Sequence, residues 1–189
     1  MGRRFFGIAA ISSLVLVASA CASLPAAPAA AAPTDIPGSG VASTFVLSSA
    51  SFTGNSAIPQ KYTCDSSNIS PQLQWSGAPA NTKSFALIMD DPDAPSGTFT
   101  HWIAFDIPAH QTQIAEGVKS IGKSGKNSAG QNGYTAPCPP SGTHRYYFTL
   151  YALDVASLGL NESASRAQVE TAAKAHTLAV TQLMGRYAR

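Results

Sequence analysis

Short apolar runs separated by turn-forming residues dominate the chain from residue 44 to residue 154. Six of these runs are typical of β-strands, because apolar and polar residues alternate in them or because they are short and continuously apolar. They read STFVLSS, KYTC, PQLQWSG, KSFALIMDD, HWIAFDIP and HRYYFTLYALD, and Gly, Pro, Asn and Ser lie between them. The pattern predicts a mainly β domain of the sandwich type that begins near Val41.

One segment near the C-terminus has helical periodicity. In SRAQVETAAKAHTLAVTQLMGRY, apolar residues recur at steps of three and four as far as Tyr187. Ser165 and Gln168 match a capping box, and Gly185 is a typical helix stop. We therefore expect one α-helix that packs its apolar side on a sheet, with His176 as a packing residue on that side.

Three of the predicted strands carry one ionisable residue at one end, on the face that should lie inside. Because residues two apart share a face of a strand, Asp91, His101 and His144 each lie on the face of an apolar row. The rows are Phe85, Leu87 and Met89; Ile103, Phe105 and Ile107; and Tyr146, Phe148 and Leu150. Asp91 ends its strand and His101 begins the next, so the return loop 92–100 brings them to one rim, where we expect His144 to join them.

This convergence predicts a polar pocket that opens from the apolar core, since buried ionisable groups are costly unless they are paired. An aspartate beside imidazoles favours their protonated form, and such a pocket would attract an anion. The loops DPDAPSG and GQNGYTAPCPPSGTHR are stiffened by proline, and their amide N–H groups suit phosphate or carboxylate oxygens. The alternative is ordinary turns with histidines that are hydrogen-bonded for structure.

The first 40 residues have a different pattern. Two arginines precede an apolar run that ends at Ala18, and this run is short for a spanning helix. Basic residues, an apolar run and small residues in this order are typical of an export signal, so we expect residues 1–20 to be a signal peptide. Residues 22–40 are rich in Ala and Pro and predict an extended tether before a domain at 41–189.

Cys21 follows the triplet Ala18-Ser19-Ala20. This arrangement is similar to a bacterial lipoprotein signal, in which the cysteine is acylated with fatty acids such as palmitate and becomes the new N-terminus. Several acyl chains give stable anchoring, so residues 21–40 would form a lipidated cysteine and tether on the extracytoplasmic face of the cell membrane. The triplet also fits ordinary secretion, and a secreted or periplasmic protein is the alternative.

The chain has 12 Lys and Arg against 10 Asp and Glu, and loss of Arg3 and Arg4 with the signal would leave ten of each. A near-neutral domain lacks the electrostatic footprint of a nucleic-acid-binding protein, so no nucleic-acid partner is expected.

Cys64 and Cys138 are an even pair in a compartment that would be oxidising. This favours a disulfide between them. The alternative is two buried thiols.

Metal binding has candidate ligands but lacks a recognisable pattern. Asp91, Asp93, His101 and His144 carry suitable donors. The calcium-loop template fails in this segment, and the chain has no His-x-x-x-His or Cys-x-x-Cys zinc pattern. We therefore expect no metal and no other cofactor.

Hydrolase chemistry is a further alternative. Ser96, Ser141 or a reduced Cys138 could be a nucleophile with a histidine as base. The chain lacks a Gly-x-Ser-x-Gly elbow, and Cys138 is expected to be oxidised. We therefore do not expect an enzyme.

Four segments together resemble the phosphatidylethanolamine-binding protein family, in its bacterial Raf-kinase-inhibitor-like branch. They are YTCDSSNISPQLQW, DPDAPSGTFTHWIAFDIPA, GYTAPCPPSGTHRYYFTLYALD and the terminal helix, and the resemblance runs from Thr44 to Arg189. It implies a β-sandwich of antiparallel sheets with a C-terminal α-helix beside a small anion pocket.

The resemblance also implies the residues of the site. Asp91 and Asp93 match the Asp-Pro-Asp loop of the family, His101 matches the first pocket histidine, and His144 lies in the Gly-x-His-Arg segment. The residues that match the pocket walls are Pro95, Gly133, Pro140 and Tyr146. Such pockets take phosphate, acetate or phosphorylated head groups.

We therefore expect an extracytoplasmic, non-enzymatic binding protein for a small anion such as phosphate or a phospholipid head group. His101 and His144 would donate to the ligand, Asp91 would orient a histidine, and Asp93 would hold the loop or accept an amine. The alternative function is a protein-interaction module such as a protease inhibitor, in which the pocket is regulatory or vestigial. Bacterial relatives often pair as homodimers, and a homodimer or another protein partner is left open.

Overall fold

The computed structural model describes residues 44–189, which form two antiparallel β-sheets and an α-helix. The elements are β1 (Val46–Ser48), a 3-10 turn (Gln60–Tyr62), β2 (Leu73–Ser76), β3 (Ser84–Asp91), β4 (Phe99–Pro108), β5 (Gln113–Ile114), β6 (Lys123–Ser124), β7 (Thr143–Leu153), α1 (Arg166–Ala175) and β8 (Thr177–Ala188). The smaller sheet has the strand order β1-β2-β5, and the larger has the order β6-β4-β3-β7-β8. The prediction of a sandwich of antiparallel sheets with a helix near the C-terminus is confirmed.

The predictions for the N-terminal segment fall outside the described residues. They concern the signal peptide at 1–20, the lipidation of Cys21 and the tether that ends at residue 40.

The main core lies between the two sheets. The smaller sheet contributes Leu47, Leu73 and Trp75, and the larger sheet contributes Phe85, Leu87, Met89, Phe148 and Leu150. A second apolar cluster lies on the other side of the larger sheet, where Val169 and Ala173 of α1 pack on Ala86, Ile88, Ile103 and Phe105. Strand β3 is therefore buried on both faces, which explains why its sequence is continuously apolar.

The helix is shorter than its periodicity predicts. α1 begins after the predicted capping box, in which Ser165 accepts from the backbone N–H of Gln168 and the Gln168 side chain binds the backbone N–H of Ser165. It ends at Ala175, and the prediction that it continues to Tyr187 is wrong. Within residues 44–189, no helix combines the length and the apolar character needed to cross a bilayer.

Residues 177–188 form strand β8, which pairs with β7 along its whole length. The segment TLAVTQL suits two structures, because its β-branched Thr and Val residues favour a strand whereas its apolar residues fall at the helical steps of three and four. Pairing with the long strand β7 decides between them, since that strand would otherwise be an unpaired edge. Gly185 is therefore no helix stop, and its Cα packs closely against Ile58 and Phe52, where a Cβ would clash.

His176 is also not a packing residue. It caps the C-terminal end of α1, its side chain is 44% exposed, and its Nδ1 lies 3.0 Å from Oδ1 of Asp154. The segment KYTC differs from its prediction as well, because it forms the 3-10 turn instead of a strand.

A β-bulge at His101 changes the faces of β4. In the pairing of β3 with β4, Asp90 lies opposite Thr100 whereas Met89 lies opposite Trp102, so His101 is the extra residue. The prediction that His101 shares a face with Ile103 and Phe105 is therefore wrong. Those two side chains pack in the cluster under α1, and Trp102 takes the place in the main core.

Candidate functional site

A cavity of about 180 Å³ opens where β3 ends and β4 and β7 begin. Its walls come from the ends of these strands and from the loops 92–98 and 135–140. The lining residues are Asp91, Ala94, Pro95, Phe99, His101, Thr135, Ala136, Cys138, Pro139, Pro140 and His144. The structure thus brings Asp91, His101 and His144 to one cavity.

Asp91 and His144 form a buried pair in this cavity. Nδ1 of His144 lies 2.7 Å from Oδ2 of Asp91, and the two residues are 7% and 3% exposed. The carboxylate accepts, so Nδ1 carries the hydrogen, and Nε2 has no partner among residues 44–189. The other carboxylate oxygen accepts from the backbone N–H of Asp93 at 2.8 Å. Asp91 therefore orients the imidazole and also anchors the loop that follows β3.

His101 is held by a different acceptor. Its Nδ1 lies 2.8 Å from the carbonyl oxygen of Thr135, and its own carbonyl accepts from the Thr135 N–H at 2.9 Å. A carbonyl can only accept, so Nδ1 of His101 carries the hydrogen and Nε2 is the nitrogen left for a ligand. The ring packs against Phe99 and Tyr146, with centroid distances of 4.8 and 5.3 Å.

Burial lowers the pKa of His101, although the Thr135 carbonyl and the charge of Asp91 act in the opposite direction. Asp91 thus favours the protonated form of His101, as expected, but the effect of burial on the pKa is larger. The neutral ring with its hydrogen on Nδ1 presents an acceptor at Nε2.

A disulfide and several hydrogen bonds hold the loop wall of the cavity. Cys64 and Cys138 are bonded, with a Cα–Cα distance of 5.4 Å, so the predicted disulfide is confirmed. The backbone N–H of Cys64 donates to the Pro137 carbonyl at 3.1 Å. Nδ2 of Asn127 donates to Oγ1 of Thr135 at 2.9 Å. Because Cys138 lines the cavity, the disulfide fixes this wall directly.

Asp93 does not line this cavity, which we call the inner cavity. Its carboxylate accepts from the Arg145 side chain at 2.6 and 2.8 Å and from the Arg145 backbone N–H at 2.9 Å. The hydrogen bond from the guanidinium is the main reason why the pKa of Asp93 falls to about 2. Of the two roles expected for Asp93, this geometry fits the holding of the loop, because both carboxylate oxygens accept from Arg145.

Two other predicted wall residues, Tyr146 and Gly133, do not line the cavity. Tyr146 is fully buried, and its hydroxyl has no partner with hydrogen-bond geometry among the described residues. Burial and the nearby Asp91 carboxylate raise the pKa of Tyr146. Gly133 has a φ of 90°, and its carbonyl accepts from Asn127, so it shapes the loop without lining the cavity. Pro95 and Pro140 do line it.

Sequence reasoning missed several lining residues. Thr135 acts through its backbone carbonyl, so its side-chain type gave no signal. Phe99 precedes His101 by two residues in β4 and could have been found from strand alternation. Cys138 and Pro139 lie in the proline-rich loop that the sequence predicts to be stiff, but nothing in the pattern predicts that they lie beside the histidines.

Neither the cysteine nor the threonine of the cavity walls is free. Cys138 is in a disulfide, and the Thr135 hydroxyl already accepts a hydrogen bond from Asn127. Within residues 44–189, no group of three or more His, Cys, Asp or Glu residues is arranged to hold a metal ion. The arrangement suits noncovalent binding of one small polar group between two imidazoles.

A family model described as phosphatidylethanolamine-binding protein matches residues 48–188. The chain belongs to the phosphatidylethanolamine-binding protein family. The match includes every residue that lines the cavity. Membership indicates a binding protein and gives no evidence for an enzymatic function.

Three similar proteins place the chain within this family. A UPF0098 protein from Methanothermobacter thermautotrophicus is 47% identical over 149 residues, which are 76% of this chain and 98% of the relative. A crystal structure of a phosphatidylethanolamine-binding protein homologue from Chlamydia trachomatis is 39% identical, with a TM-score of 0.75 over 78% of this chain and 99% of the homologue. YbcL of E. coli, described as a member of the mammalian family, is 28% identical, with a TM-score of 0.72 over 77% and 98% of the two chains.

Proposed function

We propose that this protein is a non-enzymatic binding protein whose cavity takes one small anionic group, a phosphate or a carboxylate, of its ligand. The observation that carries the proposal is the pair of imidazoles whose Nδ1 atoms are both engaged by fixed acceptors. Each ring therefore has only Nε2 for a ligand, and the orientation of each ring is set before the ligand arrives. Such preorganisation reduces the ordering cost of binding.

The two rings differ in what they offer to a ligand. An imidazolium at His144 would be paired with the Asp91 carboxylate and would donate its Nε2 hydrogen to an anion oxygen. Neutral His101 would accept a hydrogen from a protonated ligand oxygen. A singly protonated phosphate has both kinds of oxygen and fits this pair.

The size of the cavity also supports a small group. A volume of about 180 Å³ accommodates a phosphate or carboxylate but not a whole phospholipid. A phospholipid head group would enter with its acyl chains left outside. The apolar walls formed by Phe99 and the prolines exclude water and strengthen the polar contacts inside.

Isothermal titration calorimetry with inorganic phosphate tests this function. The variants His101→Asn and His144→Asn keep a side-chain N–H near the position of Nδ1 and remove Nε2, so the contacts with Thr135 and Asp91 can form while the ligand contact is lost. We expect saturable binding by the unmodified protein and a loss of about tenfold or more in each variant. His176→Asn is the control, because His176 is exposed and remote from the cavity, and it should bind as the unmodified protein does. Absence of saturable binding to phosphate and acetate by the unmodified protein would refute the proposal.

We also propose that the protein is exported and anchored by lipid at Cys21. The disulfide supports export, because such bonds persist in oxidising compartments. Mass spectrometry of the N-terminal peptide from membrane fractions tests the anchor, and a Cys21→Ser variant should be released to the soluble fraction. An unmodified Cys21 in a soluble protein would contradict lipidation, and an intact N-terminus in the cytoplasm would contradict export.

A further inference from the structure

A second, more open cavity lies beside the inner one. Its volume is about 510 Å³, and its lining residues are Asp93, Ser141, Gly142, Thr143, His144, Arg145 and Arg186. His144 lines both cavities, so the two cavities adjoin at this residue. The outer cavity contains the positive charges that the inner cavity lacks.

Arg145 and Arg186 lie directly opposite each other on β7 and β8. Like charges in such a cross-strand pair repel each other and destabilise the sheet. Asp93 neutralises Arg145 through two side-chain hydrogen bonds. Of the four arginines among residues 44–189, Arg145, Arg166 and Arg189 form ion pairs and Arg186 forms none. One positive charge is therefore left unpaired in the outer cavity.

The position of Arg186 is fixed by its backbone. Its N–H donates to the Ser56 carbonyl at 2.9 Å, and its carbonyl accepts from the Ile58 N–H at 2.7 Å. These bonds are additional to the pairing of β8 with β7 on the other side. The hydroxyls of Ser141 and Thr143 line the same cavity and have no hydrogen-bond partner among the described residues. The outer cavity thus offers an unpaired guanidinium on a rigid strand and two free hydroxyls.

We propose that Arg186 binds a second anionic group of the ligand whose first anionic group occupies the inner cavity. The ligand class is then a phosphate or carboxylate that carries another acidic group a few bonds away. This inference rests on the proposed function of the inner cavity and adds a specificity to it. The zwitterionic ethanolamine head group is disfavoured, because its ammonium would lie near Arg186.

A matched pair of probes separates the two subsites. Ethyl phosphate and 2-phosphoglycolate have similar length, and only phosphoglycolate carries a carboxylate. We expect phosphoglycolate to bind threefold to tenfold more tightly than ethyl phosphate, because a charge-assisted hydrogen bond from the exposed Arg186 contributes about that factor. The measurement is calorimetric titration of the purified protein at low salt, where screening is weak.

The variant Arg186→Gln removes the charge and keeps a side-chain amide. It should reduce phosphoglycolate to the affinity of ethyl phosphate, leave ethyl phosphate within twofold, and increase the affinity for phosphoethanolamine. Lys83→Gln is the control for net charge, because Lys83 forms no ion pair in the structure and lines a different surface groove. It should change none of the three affinities.

The outcomes separate the inference from the function on which it rests. If ethyl phosphate binds but phosphoglycolate gains less than threefold, or if Arg186→Gln leaves that gain intact, the inference is overturned and the inner cavity stands. If neither probe binds, both are overturned.

Sedimentation with phosphatidylserine vesicles, against phosphatidylcholine vesicles, then distinguishes the source of the ligand. Binding that needs Arg186 would assign an anionic head group, and binding of phosphoglycolate alone would assign a free ligand.

Discussion

Nδ1 of His144 lies 2.7 Å from Oδ2 of Asp91, although the two residues are 53 positions apart in the chain. The adjacency of β3 and β7 in the larger sheet brings the end of one strand beside the start of the other. Both side chains are buried, so the pair is shielded from water. Removal of either partner would leave the other buried without this hydrogen bond, which would lower the stability of the fold. The orientation of the His144 ring in the cavity depends on this contact.

Loss of the charge on Asp91 should weaken ligand binding. Asp91→Asn retains an oxygen that can accept from Nδ1 of His144, but it removes the negative charge that stabilises an imidazolium there. We expect phosphate affinity to fall roughly fivefold, because a hydrogen bond to a charged group contributes more than one between neutral groups. Asp154→Asn alters the exposed pair with His176 and serves as the control, with no change expected in calorimetric titration. Equal affinity in both variants would remove Asp91 from the mechanism.

His101 should make stability depend on pH. Burial lowers its pKa in the folded state, whereas the unfolded chain has the ordinary value of about 6.5. Below that value the unfolded state binds a proton that the folded state does not, so the free energy of unfolding should decrease as the pH falls through about 6.5. The decrease should level off below the folded pKa. Urea unfolding at pH 7.5 and 5.5 measures this change, and His101→Asn should show a smaller decrease than the unmodified protein. An identical decrease in the variant would contradict the assignment.

The Asp93–Arg145 pair should matter little for the inner cavity. The pKa of Asp93 is lowered to about 2, so the pair contributes stability above the ordinary range of a carboxyl group and loses it as the pH falls toward 2. The contribution should be small, since the two side chains are 27% and 47% exposed. Asp93→Asn should leave phosphate affinity within twofold. A tenfold loss would return Asp93 to the ligand-binding residues.

The disulfide should stabilise both the domain and its cavity. Its cysteines are 74 positions apart, and the chain-entropy relation gives about 4 kcal/mol for a loop of that length. The double variant Cys64→Ser/Cys138→Ser should lower the urea midpoint and also weaken phosphate binding, because Cys138 is part of the cavity wall. Reduction with dithiothreitol should reproduce both effects in the unmodified protein and change nothing in the variant. Unchanged affinity in the variant would show that the wall is held without the disulfide.

Gly185→Ala tests the strand that replaces half of the predicted helix. A Cβ at this position would overlap the Ile58 side chain, and such overpacking typically costs about 1–3 kcal/mol. Gly54→Ala is the control, because a Cβ there would lie at an ordinary contact distance from Leu183. A helix at this position would gain stability from the same substitution, so the sign of the change in urea unfolding distinguishes the two structures.

Local patterns predicted five of six proposed strands correctly, together with the helix start and the disulfide, because these features depend on residues that are close in sequence or few in number. The return loop between β3 and β4 is sufficient to predict that Asp91 and His101 lie at one rim, but strand alternation gave the wrong face for His101. The bulge at His101 could not be predicted, because it is a property of the pairing with β3. It keeps His101 at the cavity and at the same time places Trp102 in the core.

The end of the helix depended on long-range pairing. TLAVTQL suits both a helix and a strand, and only the presence of β7 beside it decides the outcome. The role of Thr135 was hidden for a similar reason, since it binds His101 through a backbone carbonyl that every residue has. Residue type therefore located the imidazoles and left the orientation of their rings open.

The most direct test of a phosphate site between His101 and His144 is an NMR spectrum of the four histidines labelled with ¹⁵N, recorded while inorganic phosphate is added. In the free protein, His101 and His144 should each carry a hydrogen on Nδ1. Added phosphate should shift the Nε2 signals of these two rings saturably, with no change at His110 and His176. Shifts at all four histidines, or at neither of the two cavity rings, would contradict a phosphate site between His101 and His144.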